Sequence, residues 1–308
     1  MNDWKKVKLS ELGTIVGGGT PSTKKEEYYG GDIPWITPKD LANFGERYIE
    51  YGNRNITLEG LENSSAKILP AGSILFSSRA PIGYIAIAAN NVSTNQGFKS
   101  IIPNSDVDSL FLYYLLKFNK DKIENMGSGT TFKEVSASIM KSIEVFIPTE
   151  IVEQRKISAI LGAIDDKIEN NKKINHHLEQ MAITIFESMF TNVSSGQTTI
   201  GKYIIPKRGK NLLSKDAISG RVPVVAGGLQ PSTFHNIANT EHPVLTISAS
   251  GANAGYVNLW HVPVWASDSS YIDSKMTDNV YFWYVMLKRR QQEIYDSQTG
   301  SAQPHIYP

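Results

Sequence analysis

Residues Ile147 to Phe190 read IPTEIVEQRKISAILGAIDDKIENNKKINHHLEQMAITIFESMF. Within this stretch Ile157, Leu161, Ile164, Ile168, Asn171, Asn175, Leu178, Ala182, Ile185 and Met189 follow one another at alternating intervals of four and three. A repeat of about 3.5 residues lines up along one seam of an α-helix, as in the a and d positions of a coiled coil. The spacing predicts one helix from Thr149-Glu150 to Phe190, ~60 Å long at about 1.5 Å per residue. Ile160, Ile174 and Met181 broaden the stripe beyond a strict two-stranded seam. A rod of this length cannot bury its own face, so the seam calls for an equally long partner. Asn171 and Asn175, midway along it, lower stability but fix register. Gly162 costs roughly 1 kcal/mol of helix propensity and leaves room for a close approach. The competing reading is an ordinary core helix, against which length and regularity argue.

The sequence on either side of the helix repeats itself. AGSILFSSRAPIGYIAI (Ala71 to Ile87) returns as HPVLTISASGANAGYVNL (His242 to Leu259), SLFLYYLL (Ser109 to Leu116) as NVYFWYVML (Asn279 to Leu287), and GSGTTFKEVSASI (Gly127 to Ile139) as TGSAQPHI (Thr299 to Ile306). The offsets agree: Gly83 to Gly255 is 172, Phe111 to Tyr281 is 170 and Gly129 to Gly300 is 171. Three blocks in one order at a near-constant offset predict two related domains, residues 1–148 and 192–308, joined by the helix at 149–191. In each copy β-branched runs between turn signals predict short strands, among them Ser73 to Phe76, Tyr84 to Ala88 and Ile143 to Ile147. Ser109 to Asn119 reads as a helix behind a cap at Asp108, and Val280 to Lys288 as its counterpart behind Asp278. The expected class is therefore α+β, two homologous domains of short strands with packed helices on one long coiled-coil-type helix.

With 308 residues, 41% hydrophobic and 20% charged, the composition is that of an ordinary globular chain with room for two domains. No apolar run approaches a membrane span, and the N-terminus lacks the apolar core of a signal peptide. The absence of cysteine excludes disulfides and thiolate chemistry. These features suit the cytoplasm. The net charge of +1 divides as 16 basic and 16 acidic residues in 1–148, 5 and 7 in 149–190, and 10 and 7 in 191–308. Any nucleic-acid binding must then come from local clusters, because a plain basic excess is missing.

Layout and residues together resemble the specificity subunit of type I restriction-modification systems. The Glu-Gln pair after Pro148, the Ile/Leu seam, the Asn-Lys-Lys-Ile-Asn middle and the aromatic end are similar to that family's central spacer helix. GGGTPSTKKEEYYGGDIPWITPKDL (Gly17 to Leu41) resembles the opening of a target recognition domain, and SSRAPIGYIAI with the paired GSGTT and TGSAQ loops resembles its later parts. The second copy departs early, with PKRGKNLLSKDAISGRVPVVAGGLQ (Pro206 to Gln230) in place of the GTPS and IPW pattern. The resemblance implies a non-catalytic subunit whose two domains read the halves of a bipartite, asymmetric double-stranded DNA target. It also implies modification subunits carrying an adenine methyltransferase and a restriction and translocation subunit as partners. S-adenosylmethionine, ATP and Mg²⁺ would belong to those partners, with no cofactor bound by this chain. A second spacer helix, expected after the second copy, is absent from this sequence. That absence predicts self-association through the unpaired seam. The alternative is a coiled-coil interaction scaffold, or a truncated or regulatory half-subunit without DNA specificity of its own.

An enzyme reading finds little support. Gly17-Gly18-Gly19 is a turn rather than a cofactor fingerprint, and Gly209-Lys210 has neither P-loop spacing nor the following Ser/Thr. No histidine falls at a recognised metal spacing, so no catalytic or metal site is expected. DNA contact asks for Arg and Lys at phosphates, and for Arg, Asn, Gln, Ser or Thr at base edges, best displayed on loops. The candidates are Thr20, Ser22, Thr23, Lys24 and Lys25, then Ser77, Ser78 and Arg79, then Asn95 and Gln96. In the second copy they are Lys207, Arg208, Lys210 and Asn211, then Ser250 and Asn253. Arg79 and Arg208 stand out, each beside a small residue that leaves the guanidinium reach. Trp35, Tyr84, Tyr256 and Trp265 are expected in the core. Lys288, Arg289 and Arg290, at a helix end, suit either phosphate or the helix dipole.

Overall fold

The computed structural model describes residues 4–42, 44–79, 81–129, 133–191, 198–300 and 304–306. The chain forms two compact units, residues 1–169 and 170–308, with the boundary inside the long helix.

In unit 1 the elements run β1 (Trp4–Lys8), α1 (Leu9–Leu12), β2 (Gly13–Gly17), β3 (Tyr29–Ile36), β4 (Tyr48–Ile49), β5 (Arg54–Ile56), α2 (Leu58–Glu62), β6 (Ile74–Ser78), β7 (Ile82–Ala88), β8 (Ser93–Thr94) and β9 (Lys99–Pro103). They continue with α3 (Ser109–Phe118), α4 (Lys120–Asn125), α5 (Ala137–Ser142) and β10 (Glu144–Pro148), and then the long helix α6 (Ile151–Met189). A five-stranded sheet has the order β2-β9-β6-β7-β4, a three-stranded sheet the order β5-β3-β8, and β1 pairs with β10. Strand β6 is buried along its whole length, so both faces are covered and its side chains alternate between two cores. Ile74 and Phe76 join Leu9, Ile101, Leu112, Leu116, Ile123 and Met140, while Leu75 joins Ile36, Ala86 and Phe98 on the other face. The capping expectation at Asp108 holds: its Oδ1 accepts the Phe111 N–H at 2.8 Å.

Unit 2 continues with β11 (Lys207–Arg208), β12 (Val222–Val225), β13 (Thr233–His235), β14 (Val244–Ser248), β15 (Val257–Trp260), β16 (Trp265–Ala266), β17 (Ser269–Asp273), α7 (Val280–Arg289) and α8 (Gln291–Asp296). Its sheets have the orders β11-β17-β14-β15 and β13-β12-β16, repeating the five-stranded and three-stranded sheets of unit 1 strand for strand apart from the edge strand β4. The three-stranded sheets match to the residue. Pro34 pairs antiparallel with Asn55 and Trp35 parallel with Ser93; Pro223 pairs antiparallel with Phe234 and Val224 parallel with Trp265. The second copy therefore keeps the strand that its sequence seemed to lack, as Val222-Pro223-Val224-Val225 in place of Ile33-Pro34-Trp35-Ile36. The cap of α7 differs from expectation. Its cap position is Asn279 rather than Asp278, and the side chain makes no capping bond.

Helix α6 spans 39 residues and docks on unit 1 through a face that the seam does not include. Gln154, Ser158 and Gly162, spaced by four, are its buried residues. Gln154 Oε1 accepts the Asp108 N–H at 3.0 Å, and Ser158 Oγ donates to Asp108 Oδ1 at 2.8 Å, so the helix seals the cap of α3. Arg47 Nη1 donates to the Gly162 carbonyl at 3.2 Å, and Arg47 also pairs with Asp166. A Cβ at Gly162 would lie 3.2 Å from Arg47 Nη1 and 3.4 Å from Leu110, so the glycine serves the close approach expected of it. Of the predicted seam only Ile157 packs against the unit 1 core. Leu161 through Met189 leave their large apolar side chains 36–71% exposed. The reading of α6 as an ordinary core helix is thereby excluded for its seam. In unit 2 the C-terminal half of α6 meets α7: Phe186 and Phe190 stack with Phe282, and Glu187 accepts from Arg289 at 2.8 Å.

Candidate nucleic-acid interface

Three loops of unit 1 meet at one end of its five-stranded sheet. The first follows β2, where Gly18 lies so close to the Thr94 and Asn95 carbonyls that a Cβ would fall 2.0 Å from Asn95 O. This is a place where only glycine lets two backbones touch. The loop then carries Thr20, Ser22, Thr23, Lys24 and Lys25. The hydroxyl of Thr20 donates to Gln96 Oε1 in the loop between β8 and β9, where Asn95 Oδ1 accepts the Gly97 N–H at 2.9 Å as an Asx turn. Ser22, Thr23, Lys24, Lys25 and Gln96 are exposed. Lys25 donates to the Tyr28 hydroxyl at 2.8 Å, and this bond holds its ammonium pKa above the ordinary value.

The third loop joins β6 to β7, and two of its candidates need correction. Ser77 and Ser78 are completely buried. Ser77 Oγ donates to Pro81 O and accepts the Tyr84 N–H, and Ser78 Oγ donates to Gly97 O. Their hydroxyls tie the loops together and have no face toward a duplex. Arg79 is half-buried, with Nη1 3.8 Å from Glu134, whose carboxylate also pairs with Lys99 at 3.2 Å. One carboxylate facing two cations leaves this cluster net positive.

Unit 2 builds the same cluster from different residues. Lys207 and Arg208 form β11, and Gly209 N donates to Ser269 O as Gly18 N does to Phe98 O. Lys210 N donates to Ala266 O as Gly19 N does to Thr94 O. The Lys210 carbonyl accepts from Trp265 Nε1, and that of Gly19 from Trp35 Nε1. The two tryptophans come from different strands yet hold the equivalent carbonyl. Asp268 gathers the candidates: Arg208 Nη2 donates to it at 3.1 Å, and the Ser250 hydroxyl donates to its other oxygen. Asn253 Nδ2 donates to Gly227 O at 3.4 Å, bringing in a loop after β12. Lys207, Lys210 and Asn211 are exposed.

The repeat extends to the last bridges. Arg79 and Ser128 each pair with Glu134 in unit 1, and Ser250 and Thr299 each pair with His305 in unit 2. Gly83 and Gly255 sit in the left-handed region at φ 93° and 85°, which explains the recurrent Gly-Tyr.

Of the expected core aromatics, Trp35 is buried, whereas Tyr84, Tyr256 and Trp265 are only partly covered. The basic run at the C-terminal end of α7 is engaged within the protein. Lys288 lies 3.7 Å from Glu179, donates to Val257 O and sits 4.3 Å over the Tyr256 ring. Burial lowers its pKa against the opposing pull of Glu179. Arg289 pairs with Glu187, and Arg290 with Glu293.

One feature escaped the sequence reading. A cavity of about 470 Å³ in unit 1 is lined by Tyr29, Gly30, Gly31 and the run Tyr51 to Asn55. Arg54 lies 5.2 Å over the Tyr29 ring, Tyr51 is 70% exposed, and Tyr29 donates its hydroxyl to Pro21 O. The cavity thus adjoins the Thr20 to Lys25 loop. An arginine among asparagines, glycines and two tyrosines was the available signal.

The family model described as type I restriction modification DNA specificity domain matches residues 1–180. The type I restriction enzyme MjaIX specificity subunit of Methanocaldococcus jannaschii is 48% identical over 190 residues, 61% of this chain and 44% of that protein. The HindI specificity subunit of Haemophilus influenzae is 31% identical over 176 residues, 55% of this chain and 38% of that protein. The matches thus span less than half the length of these two curated relatives. Among solved structures, a type I restriction-modification S subunit from M. genitalium aligns with 96% of this chain and 79% of its own, at a TM-score of 0.55 and 21% identity. That likeness extends the shared fold across both units.

Proposed function

Since the chain belongs to the type I restriction modification DNA specificity family, we propose that it is the sequence-reading subunit of such a system. In this reading each unit contacts one half of a bipartite, asymmetric duplex target, and α6 sets the distance between the halves. The observation that carries it is the loop cluster built twice on one strand order with different side chains. Unit 1 presents Thr20, Lys24, Lys25, Arg79 and Gln96, and unit 2 presents Lys207, Arg208, Lys210, Asn211 and Asn253. Two readers of unlike half-sites need a common scaffold and unlike edges. The exposed lysines suit phosphates; Arg79, Arg208, Gln96 and Asn211 suit base edges, where bidentate contacts distinguish guanine and adenine. Arg54 and Tyr51 extend the surface of unit 1. Ser77 and Ser78 are left out, because their hydroxyls are spent inside.

The subunit performs no chemistry itself in this reading. Adenine methylation and restriction are carried out by modification subunits and a restriction and translocation subunit, which bring S-adenosylmethionine, ATP and Mg²⁺. Work on DNA places it in the cytoplasm. Among the described residues no helix is long and apolar enough to cross a membrane. The exposed seam of α6, with Leu161, Ile164, Ile168, Leu178, Ile185 and Met189, binds a second long helix, and a second copy of this chain can supply one through self-association.

Fluorescence anisotropy with labelled duplex across a salt series tests the reading. Binding through about four phosphates falls about a hundredfold between 50 and 200 mM salt. Affinity that is absent, or flat across that range, overturns it.

A further inference from the structure

The cavity beside β3 and β5 in unit 1 is one that the scaffold does not require. Strand β3 pairs with Ile56 of β5 twice, at Tyr29 and again at Ile33, so Gly30, Gly31 and Asp32 step out of the ladder as a bulge. The matching pair in unit 2, β12 with β13, runs from Val222 to Val224 without a shift of register. The registers set Arg54 against Thr233 and Asn55 against Phe234. Unit 2 thus closes the same sheet without the bulge, the arginine or the asparagine. Features that one copy lacks do not hold the shared sheet together.

The bulge and the run Tyr51 to Asn55 bound about 470 Å³, within the roughly 300–1,000 Å³ of small-ligand pockets. Gly30 sits in the left-handed region at φ 80°, and a Cβ built on it would meet no atom within 4 Å. Bare backbone with open space before it forms that wall. Asp40 pins the opposite one. Its Oδ1 accepts the Asn53 N–H at 3.0 Å, and its Oδ2 accepts the Thr37 N–H at 2.7 Å and the Thr37 hydroxyl at 2.6 Å. That carboxylate is taken up by the framework, and among the described residues none pairs with Arg54, whose guanidinium rests 5.2 Å over the Tyr29 ring. Asn53 and Arg54 are exposed, and Tyr51 is 70% exposed.

Rings, an unpaired cation and carboxamides around one hollow form the set that recognises a nucleotide. Tyrosine and arginine planes cover the face of a base, while arginine and asparagine meet guanine and adenine edges. Inside a duplex both faces of a base are covered by its neighbours, so only a base out of the stack can lie against Tyr51. We propose that this cavity holds a single unstacked nucleotide, drawn from DNA on the adjoining Thr20 to Lys25 loop. The Tyr29 hydroxyl ties the cavity to that loop through Pro21 O at 2.8 Å. The inference rests on the DNA reading for the source of the nucleotide, and on the cavity alone for its chemistry.

Fluorescence anisotropy of the full chain tests it with two labelled duplexes, one fully paired and one carrying a single extra, unpaired nucleotide. The bulged duplex is expected to bind about tenfold more tightly, because its unstacking cost is already met. Tyr51→Ala or Arg54→Gln removes that preference. Circular dichroism melts of both variants match the parent, because both side chains are exposed. 5-Iodo-2′-deoxyuridine at the bulge crosslinks to Tyr51 or Tyr29. Saturation-transfer NMR with deoxyadenosine monophosphate reads the cavity without a duplex: the base protons give a signal with the parent and lose it with Tyr51→Ala. Equal binding of the two duplexes, crosslinks outside residues 29–31 and 51–55, or a mononucleotide signal that Tyr51→Ala leaves unchanged would overturn the proposal. Failure of both duplexes to bind would sink the DNA reading by itself, and the mononucleotide signal would still decide the cavity.

Discussion

Arg208 donates to Asp268, which also accepts from Ser250, so the guanidinium is held at the junction of two loops. If it meets a guanine edge in the complex, Arg208→Ala costs about 1–3 kcal/mol of binding and relaxes preference at one position. If it meets phosphate, the salt slope drops by about one for any sequence. Anisotropy with a panel of duplexes separates these from an inert surface arginine, which changes neither. Ser77 behaves otherwise. Its hydroxyl accepts the Tyr84 N–H while buried, so Ser77→Ala strands a backbone donor. We expect about 1–3 kcal/mol of lost stability by denaturant titration, with an unchanged salt slope once folded. Residue type pointed to Ser77, and the structure turns its hydroxyl inward. A serine in a Ser-Ser-Arg loop looks like a polar display, and only the bulge between β6 and β7 shows it turned inward. Tyr114 yields a pH prediction. Burial, followed by its hydrogen bond to Asp165, pushes the phenol up to about 12. An acid whose folded pKa lies above its unfolded value of about 10 adds stability below pH 10 and loses it as pH rises toward 12. Tyr114→Phe therefore shows a smaller fall in unfolding free energy than the parent between pH 9 and 11.

At the scale of the element, α6 separates its two tasks by face. The residues that dock it on unit 1 are small or polar, Gln154, Ser158 and Gly162, while the aliphatic seam beside them stays open. A period-seeking reading finds the seam, since apolar residues at 3.5 spacing are its signal. It passes over the docking face, because glutamine, serine and glycine at intervals of four carry no hydropathy contrast. Gly162 alone of the three was legible, as a cost to helix propensity that leaves room for a close approach. Gly162→Leu is expected to clash with Arg47 and Leu110 and to lower the melting temperature of the chain. Gly162→Ala stays near the parent, because a propensity gain of about 1 kcal/mol offsets the crowding. Thermal melts followed by circular dichroism decide between them. Conversely, Leu161→Glu with Ile168→Glu should abolish self-association in light scattering and leave the melting transition cooperative, because both side chains are already substantially exposed. Loss of cooperativity would place the seam in a domain core after all.

For the whole molecule, the repeat was legible where glycines and aromatics punctuate it, from Gly83 and Gly255 to the pairs at Gly129 and Gly300. It was illegible in the first third of the second copy. There Val222-Pro223-Val224-Val225 replaces Ile33-Pro34-Trp35-Ile36, and a strand needs only apolar character and a tolerable proline at its position. Topology therefore outlasted the motif, and the loops above it diverged. The same comparison explains why the candidate surface was found in pieces. Lys207, Arg208 and Lys210 could be noted as a basic run, but their equivalence to the loop after β2 rests on backbone bonds at Gly18 and Gly209. The central claim is that two unlike loop clusters read two half-sites. It is tested most directly by mapping adenine methylation in cells that express this chain with its modification subunits, beside cells carrying the Arg208→Ala variant. We predict methylation in both halves of a bipartite motif, with the variant relaxing or losing one half and sparing the other. Methylation that ignores the presence of this chain, or a motif that Arg208→Ala alters in both halves alike, would contradict the account.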